Sequence, residues 1–139
     1  MRQLSDVVCN QNPLTMPHTA TVKSACQKMG ERRAGSVLVT DAEGALIGIF
    51  TGRDAVARVL AAGKSPTKTK LGEVMTARPI TMSPAKTAFD ALRLMWDGGF
   101  RHVPLVEGRK IVGVVSRGDF KGDEQSWLDE ERELWEHMR

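Results

Sequence analysis

Apolar residues recur along the chain in two rhythms, and the same succession of rhythms occurs twice. Val22, Ala25, Cys26 and Met29 fall at i, i+3, i+4 and i+7, the core-facing stripe of an amphipathic helix; Ala88, Ala91, Leu92 and Met95 repeat it 66 residues on. Thr21 and Thr87 stand just before these stripes as N-caps. Short extended stretches, 14–16 and 80–82, precede the helices. Two apolar strands follow in each copy: 37–40 and 46–51, then 103–106 and 111–116. The polar turns Asp41-Ala42-Glu43-Gly44 and Glu107-Gly108-Arg109-Lys110 suit hairpins. A second helix is predicted after Thr51, reaching about Ala62, and another after Ser116. The order is β-α-β-β-α, twice: an α/β (α+β) fold.

The repeat extends beyond hydropathy. Pro13-Leu14-Thr15-Met16 lies over Pro79-Ile80-Thr81-Met82, and Cys9 over Met75. After a one-residue shortening near Glu107, Gly48-Ile49-Phe50-Thr51-Gly52-Arg53-Asp54 lies over Gly113-Val114-Val115-Ser116-Arg117-Gly118-Asp119. Two copies are too few for a solenoid and predict a pseudo-two-fold pair around a shared core. Residues 1–62 form the first repeat, 63–70 a polar connection with Pro66 and three lysines, and 71–122 the second repeat. Residues 123–139 read as an added amphipathic helix with Trp127, Leu128, Leu134, Trp135 and Met138 on one side. That stripe suits packing on its own domain and a dimer contact equally.

Length and composition narrow the class. A chain of 139 residues forms one domain or two small halves, and needs no disulfide or metal staple. Its 41% hydrophobic and 27% charged residues exclude a disordered tail and a membrane protein. Apolar stretches such as 45–51 fall far short of the ~20 residues that span a bilayer. No apolar leader follows Met1, so a cytoplasmic location is expected. The net charge of +3 conceals an asymmetry: 123–139 holds seven acids and two bases, net −5, leaving 18 bases and 10 acids, net +8, for the body. A basic body suggests an anionic partner.

The motifs Thr51-x-x-Asp54 and Ser116-x-x-Asp119 admit two readings. At the start of a helix, hydroxyl and carboxylate form a capping box that satisfies unpaired N–H groups. The same N–H groups also attract phosphate, and a nearby carboxylate can accept hydrogen bonds from a ribose diol.

Two copies of β-α-β-β-α, each closing on Gly-x-x-[Ser/Thr]-x-x-Asp, resemble a pair of cystathionine-β-synthase (CBS) domains, the arrangement called a Bateman module. The resemblance covers about residues 7–120. It implies a non-catalytic regulatory module that senses AMP, ADP, ATP, NAD or S-adenosylmethionine, with or without magnesium, and requires no other cofactor. It also implies a homodimer of such pairs, with either a separate regulated protein or a sensor that works alone. In the resembled family each pocket draws on both repeats. Carried over by position, Thr51, Arg53 and Asp54 share one pocket with Ile80, Arg101 and His102. Ser116, Arg117 and Asp119 share the other with Leu14, Gly35 and Ser36. The aspartates are then ribose acceptors, the arginines phosphate neighbours, and Ile80 and Leu14 adenine contacts. With Arg101 and His102 beside it, the Asp54 pocket is expected to prefer the more phosphorylated ligand.

Other features point nowhere further. Gly63-Lys64-Ser65 mimics the end of a phosphate-binding loop, but Arg58 stands where its first glycine belongs. Cys9 and Cys26 lack CxxC spacing and match apolar positions of the other copy, so core packing is expected. His18, His102 and His137 have no metal-ligand spacing. No nucleophile with a matched base can be assembled, which leaves an enzyme the weakest class. The alternatives to a nucleotide sensor are an interaction protein acting through its C-terminal helix and a nucleic-acid binder. The second is disfavoured because its bases are scattered with few aromatics among them.

Overall fold

The structure is a computed structural model that describes residues 2–120 and 122–137. Along the chain run α1 (Leu4–Val7), β1 (Thr15–Pro17), α2 (Val22–Arg32), β2 (Ser36–Thr40), β3 (Leu46–Thr51) and α3 (Gly52–Asp54). A π-helical segment, Ala55–Leu60, continues α3. Then come α4 (Leu71–Val74), β4 (Thr76–Ala77), α5 (Ala88–Gly98), β5 (His102–Glu107), β6 (Lys110–Ser116), a 3-10 turn (Arg117–Asp119) and α6 (Gly122–His137). Two compact units result: a first of Asn12–Pro79 with Arg109–Ile111, and a second of Met1–Gln11, Ile80–Gly108 and Val112–Arg139.

In the first unit the strand order is β1-β2-β3-β4. β1 runs parallel to β2 with Thr15 opposite Leu38, and β2 and β3 form an antiparallel hairpin with Val37 opposite Phe50. The hairpin closes because Asp41 Oδ1 accepts from the amides of Glu43 (2.9 Å) and Ala45 (3.0 Å), while Gly44 takes the left-handed conformation. Thr21 caps α2 as its spacing predicts, its hydroxyl accepting from Ser24 N at 3.2 Å. Val22 and Ala25 of α2 pack with Val37, Val39, Phe50, Val59, Leu71 and Val74.

In the second unit Thr87 caps α5, and here Asp90 returns the bond in a full capping box. Ala88, Ala91, Leu92 and Met95 are all buried with Leu4, Val8, Val103, Leu105, Val115 and Phe120. The expected strand 80–82 shrinks to one bridging residue, Met82 opposite Leu105. Pro104 is the cause. In the first unit Leu38 N donates to Leu14 O at 2.9 Å; the matching donor toward Ile80 would be residue 104, and proline has no N–H. Leu14 is accordingly buried, whereas Ile80 is 54% exposed.

Each unit is completed by a segment from outside its own sequence repeat. In the first, Val22 N donates to Thr69 O and Leu71 N to Ala20 O, with α4 and β4 following. In the second, Ala88 N donates to Arg2 O and Leu4 N to Lys86 O, with α1 following. Where β4 pairs with Gly48 and Ile49 in the first unit, the side-chain amide of Gln11 pairs with the backbone of Val114 in the second. One side chain replaces a two-residue strand.

Two expectations are corrected. Cys9 and Cys26 are exposed and take no part in either core. The pre-repeat segments match at 67 residues, Leu4 over Leu71, so Cys9 does not fall on Met75; α2 buries a narrower face than α5 and leaves Cys26 outside it. The helix expected after Ser116 is a single 3-10 turn, because the chain turns extended at Phe120 to bury that ring. Helical structure resumes in α6, which lies against α5 in the second unit. Met138 and the side chains of Trp127, Leu128 and Trp135 lie outside the described residues, and Leu134 is exposed. Among the described residues no helix is long and apolar enough to cross a membrane.

Candidate ligand site

The hairpin of each unit ends in one copy of the aspartate motif, held by the same backbone bond. Gly52 N donates to Gly35 O at 3.3 Å in the first unit, and Arg117 N donates to Arg101 O at 3.0 Å in the second. The start of the second strand therefore lies beside the motif of its own unit. Gly35 and Ser36 accompany residues 51–54, and Arg101 and His102 accompany residues 116–119.

The two carboxylates have different surroundings. Asp54 is 8% exposed. Its Oδ2 accepts from Thr51 N at 3.0 Å and from Thr51 Oγ1 at 3.2 Å, while its Oδ1 accepts from Thr76 Oγ1 at 3.3 Å and lies 3.5 Å from Arg58 Nε. Asp54 N in turn donates to Thr51 Oγ1, closing the capping box. Both oxygens are engaged within the unit, and the structural reading of this motif accounts for all of its groups. Ser36 is buried, and Gly35 and Arg53 are exposed.

Asp119 is exposed. Its Oδ2 accepts from Ser116 N at 2.7 Å, and its Oδ1 has no partner among the described residues. Around it stand groups suited to an anion. His102 is half-buried: burial pushes its pKa down, Asp119 pushes it up, and Arg101 pushes it down again, with the net shift downward. The imidazole is therefore neutral near pH 7.5 and ready to gain a proton beside phosphate. Arg101 is exposed, and the Arg117 guanidinium lies 5.3 Å from the ring centroid of Trp96, a cation–π arrangement. One free carboxylate oxygen, two guanidiniums and an imidazole can accept from a diol and donate to a phosphate.

Sequence reasoning missed Arg58, Thr76 and Trp96. Arg58 was within reach, standing four residues after Asp54 on one helical face. Thr76 and Trp96 arrive through tertiary structure, and no local spacing signals them.

The family model for the CBS domain matches residues 4–61 and 71–122. A CBS domain-containing protein of Arabidopsis thaliana is 39% identical over 102 residues, covering 73% of this chain and 18% of that protein. The chain thus spans less than a fifth of that relative's length. A CBS-domain-containing protein from Agrobacterium tumefaciens superposes with a TM-score of 0.77 at 28% identity, covering 84% of this chain and 89% of that one. A CBS domain protein from Pyrobaculum aerophilum, complexed with AMP, shares the fold with a TM-score of 0.82 at 22% identity, covering 92% of this chain and 98% of its own.

Proposed function

This chain belongs to the CBS domain family, and from that premise we propose that it is a non-catalytic regulatory module whose motif at residues 116–119 holds an adenosine nucleotide. Asp119 accepts from the ribose hydroxyls, and Arg101, Arg117 and protonated His102 face the phosphate. The observation that carries this reading is the contrast between the carboxylates: Asp119 is exposed with one oxygen unclaimed among the described residues, whereas Asp54 is buried with both oxygens engaged. The base-rich set belongs to the second unit, so the preference for the more phosphorylated ligand moves from the Asp54 motif to the Asp119 motif. Ile80, at 54% exposure, is free to meet an adenine ring.

The Pyrobaculum protein that shares this fold is complexed with AMP, a ligand of the same class. The ligand works by binding one arrangement of the module better than another, shifting assembly with a second copy or affinity for a regulated protein in the cytoplasm. Binding to the folded state alone raises the melting temperature. A thermal-shift and calorimetric screen of AMP, ADP, ATP, NAD, NADH and S-adenosylmethionine, with and without magnesium, tests the reading. At least one nucleotide should bind. Asp119→Ala should weaken it about 10–100-fold, the loss of one or two charge-assisted hydrogen bonds. Asp54→Ala should lower the melting temperature more than the affinity. The opposite assignment of the two losses, or no shift with any ligand, overturns it.

A further inference from the structure

We propose that Arg2 is a positioning residue for the Asp119 acceptor, an inference that rests on the ligand reading above and deepens it. The motif at 116–119 lacks the support its counterpart has. In the first unit the turn after Thr51 continues directly into helical structure. In the second unit the turn spans three residues and ends at the extended Phe120. Its shape is held from outside instead.

Arg2 Nη2 donates to the backbone carbonyl of Asp119 at 3.2 Å and to Glu124 Oε1 at 2.7 Å, while Arg2 Nε donates to Glu124 Oε2 at 3.3 Å. The backbone of Arg2 is fixed in turn, because Arg2 O accepts from Ala88 N at 2.9 Å. Glu124 is 5% exposed in the first turn of α6. Beside it, Gln125 Nε2 reaches the carbonyls of Phe120 (3.3 Å) and Arg117 (3.5 Å). One guanidinium with a fixed backbone thus joins the helix that follows the motif to the peptide of Asp119 itself. The planar fork that grips both Glu124 oxygens sets the direction of the remaining donor.

Arg2 therefore acts through Asp119 and touches no ligand. Its removal should be felt only by ligands that use the Asp119 carboxylate. The test compares AMP with 2′,3′-dideoxyadenosine monophosphate, which offers no ribose diol, by calorimetry on the full chain. Arg2→Ala should weaken AMP roughly 5–10-fold and the dideoxy nucleotide less than about twofold, a difference a general loss of stability cannot produce. In an Asp119→Ala background the same substitution should change AMP binding no further. Arg2→Lys, which keeps a cation beside Glu124, takes its place with the same readout if the alanine variant does not fold. If Asp119→Ala selectively weakens AMP while Arg2→Ala weakens both nucleotides alike, or neither, the positioning role is wrong and the ligand reading stands. If the unaltered protein does not distinguish the two nucleotides, or Asp119→Ala leaves AMP binding intact, the ligand reading falls and this inference with it.

Discussion

The motifs at 51–54 and 116–119 are copies of one pattern, end equivalent strands, and are held by the same backbone bond to the start of the neighbouring strand. They nevertheless present opposite surfaces. The first carboxylate is enclosed by Thr51, Thr76 and Arg58, and the second has one oxygen without a partner among the described residues, near two arginines and a histidine. The difference comes partly from Arg58, four residues after Asp54, and partly from what each unit receives from outside its repeat. The first unit gains a β-strand whose Thr76 donates to Asp54; the second gains Gln11, which bonds to the Val114 backbone, and Arg2, which bonds to Glu124 and to the Asp119 carbonyl and makes no bond to the Asp119 carboxylate. A duplicated capping motif thus engages both carboxylate oxygens in one copy and, among the described residues, one in the other.

The strongest way to break the comparison is in the cores. Leu92 and Cys26 occupy the same repeat position, yet Leu92 is buried and Cys26 exposed. Leu92→Ala should cost about 2–5 kcal/mol, whereas Cys26→Ala should stay within about 0.5 kcal/mol. Denaturant unfolding of both variants measures this, and similar costs would mean the two helices bury equal faces.

Next come the glycines where the outside segments approach. A Cβ on Gly113 would meet Val8 Cβ at 2.9 Å and Gln11 Oε1 at 2.7 Å; one on Gly48 would meet the Met75 side chain at its Sδ and Cγ and, at 3.1 Å, the Thr76 carbonyl. Gly113→Ala should therefore cost about 1–3 kcal/mol, and Gly48→Ala less if the unbranched Met75 re-routes its thioether, since only the 3.1 Å contact to the Thr76 carbonyl is then left, whereas a β-branched Val8 cannot move aside. Thermal melts that reverse this order would deny Gln11 and Val8 their place against β6.

Smaller effects separate the helix caps. Hydrogen bonds from Thr87 to Asp90 hold that carboxylate below its usual range, and α2 has no equivalent. A lowered folded-state pKa gives stability that is present above the unfolded value of about 3.9 and lost as pH falls through the folded one. Asp90→Asn should remove that part of the acid-side loss, seen as a flatter melting temperature from pH 5 to pH 3. Thr87→Ala should cost about 1 kcal/mol, the value of a good N-cap.

The smallest effect concerns His102. Its pKa lies below the ordinary value of about 6.5, so it is neutral in the free protein at pH 7.5, and a bound phosphate favours its protonation. Binding then takes up a proton, and AMP affinity should rise a few-fold as pH falls from about 7.5 to 6.5. His102→Gln should flatten that slope in a calorimetric titration; an unchanged slope would place His102 away from the phosphate.

The sequence carried the repeat, α2 and α5 with their threonine caps, all four hairpin strands within a residue or two, and both aspartate motifs. These are local signals: periodicity, capping and turn chemistry act over a few residues and need no distant partner. Even the loss of strand 80–82 was legible afterwards in Pro104, which lacks the donor that Leu38 supplies. What tertiary structure alone decided is which segment completes which unit, and with it the fate of each aspartate. Arg2 and Asp119, or Thr76 and Asp54, meet through chain paths that no spacing encodes. A carboxylate's availability depends on every donor that reaches it; Thr51, Arg58 and Ser116 are local to their motifs, whereas Thr76 reaches Asp54 from beyond the repeat.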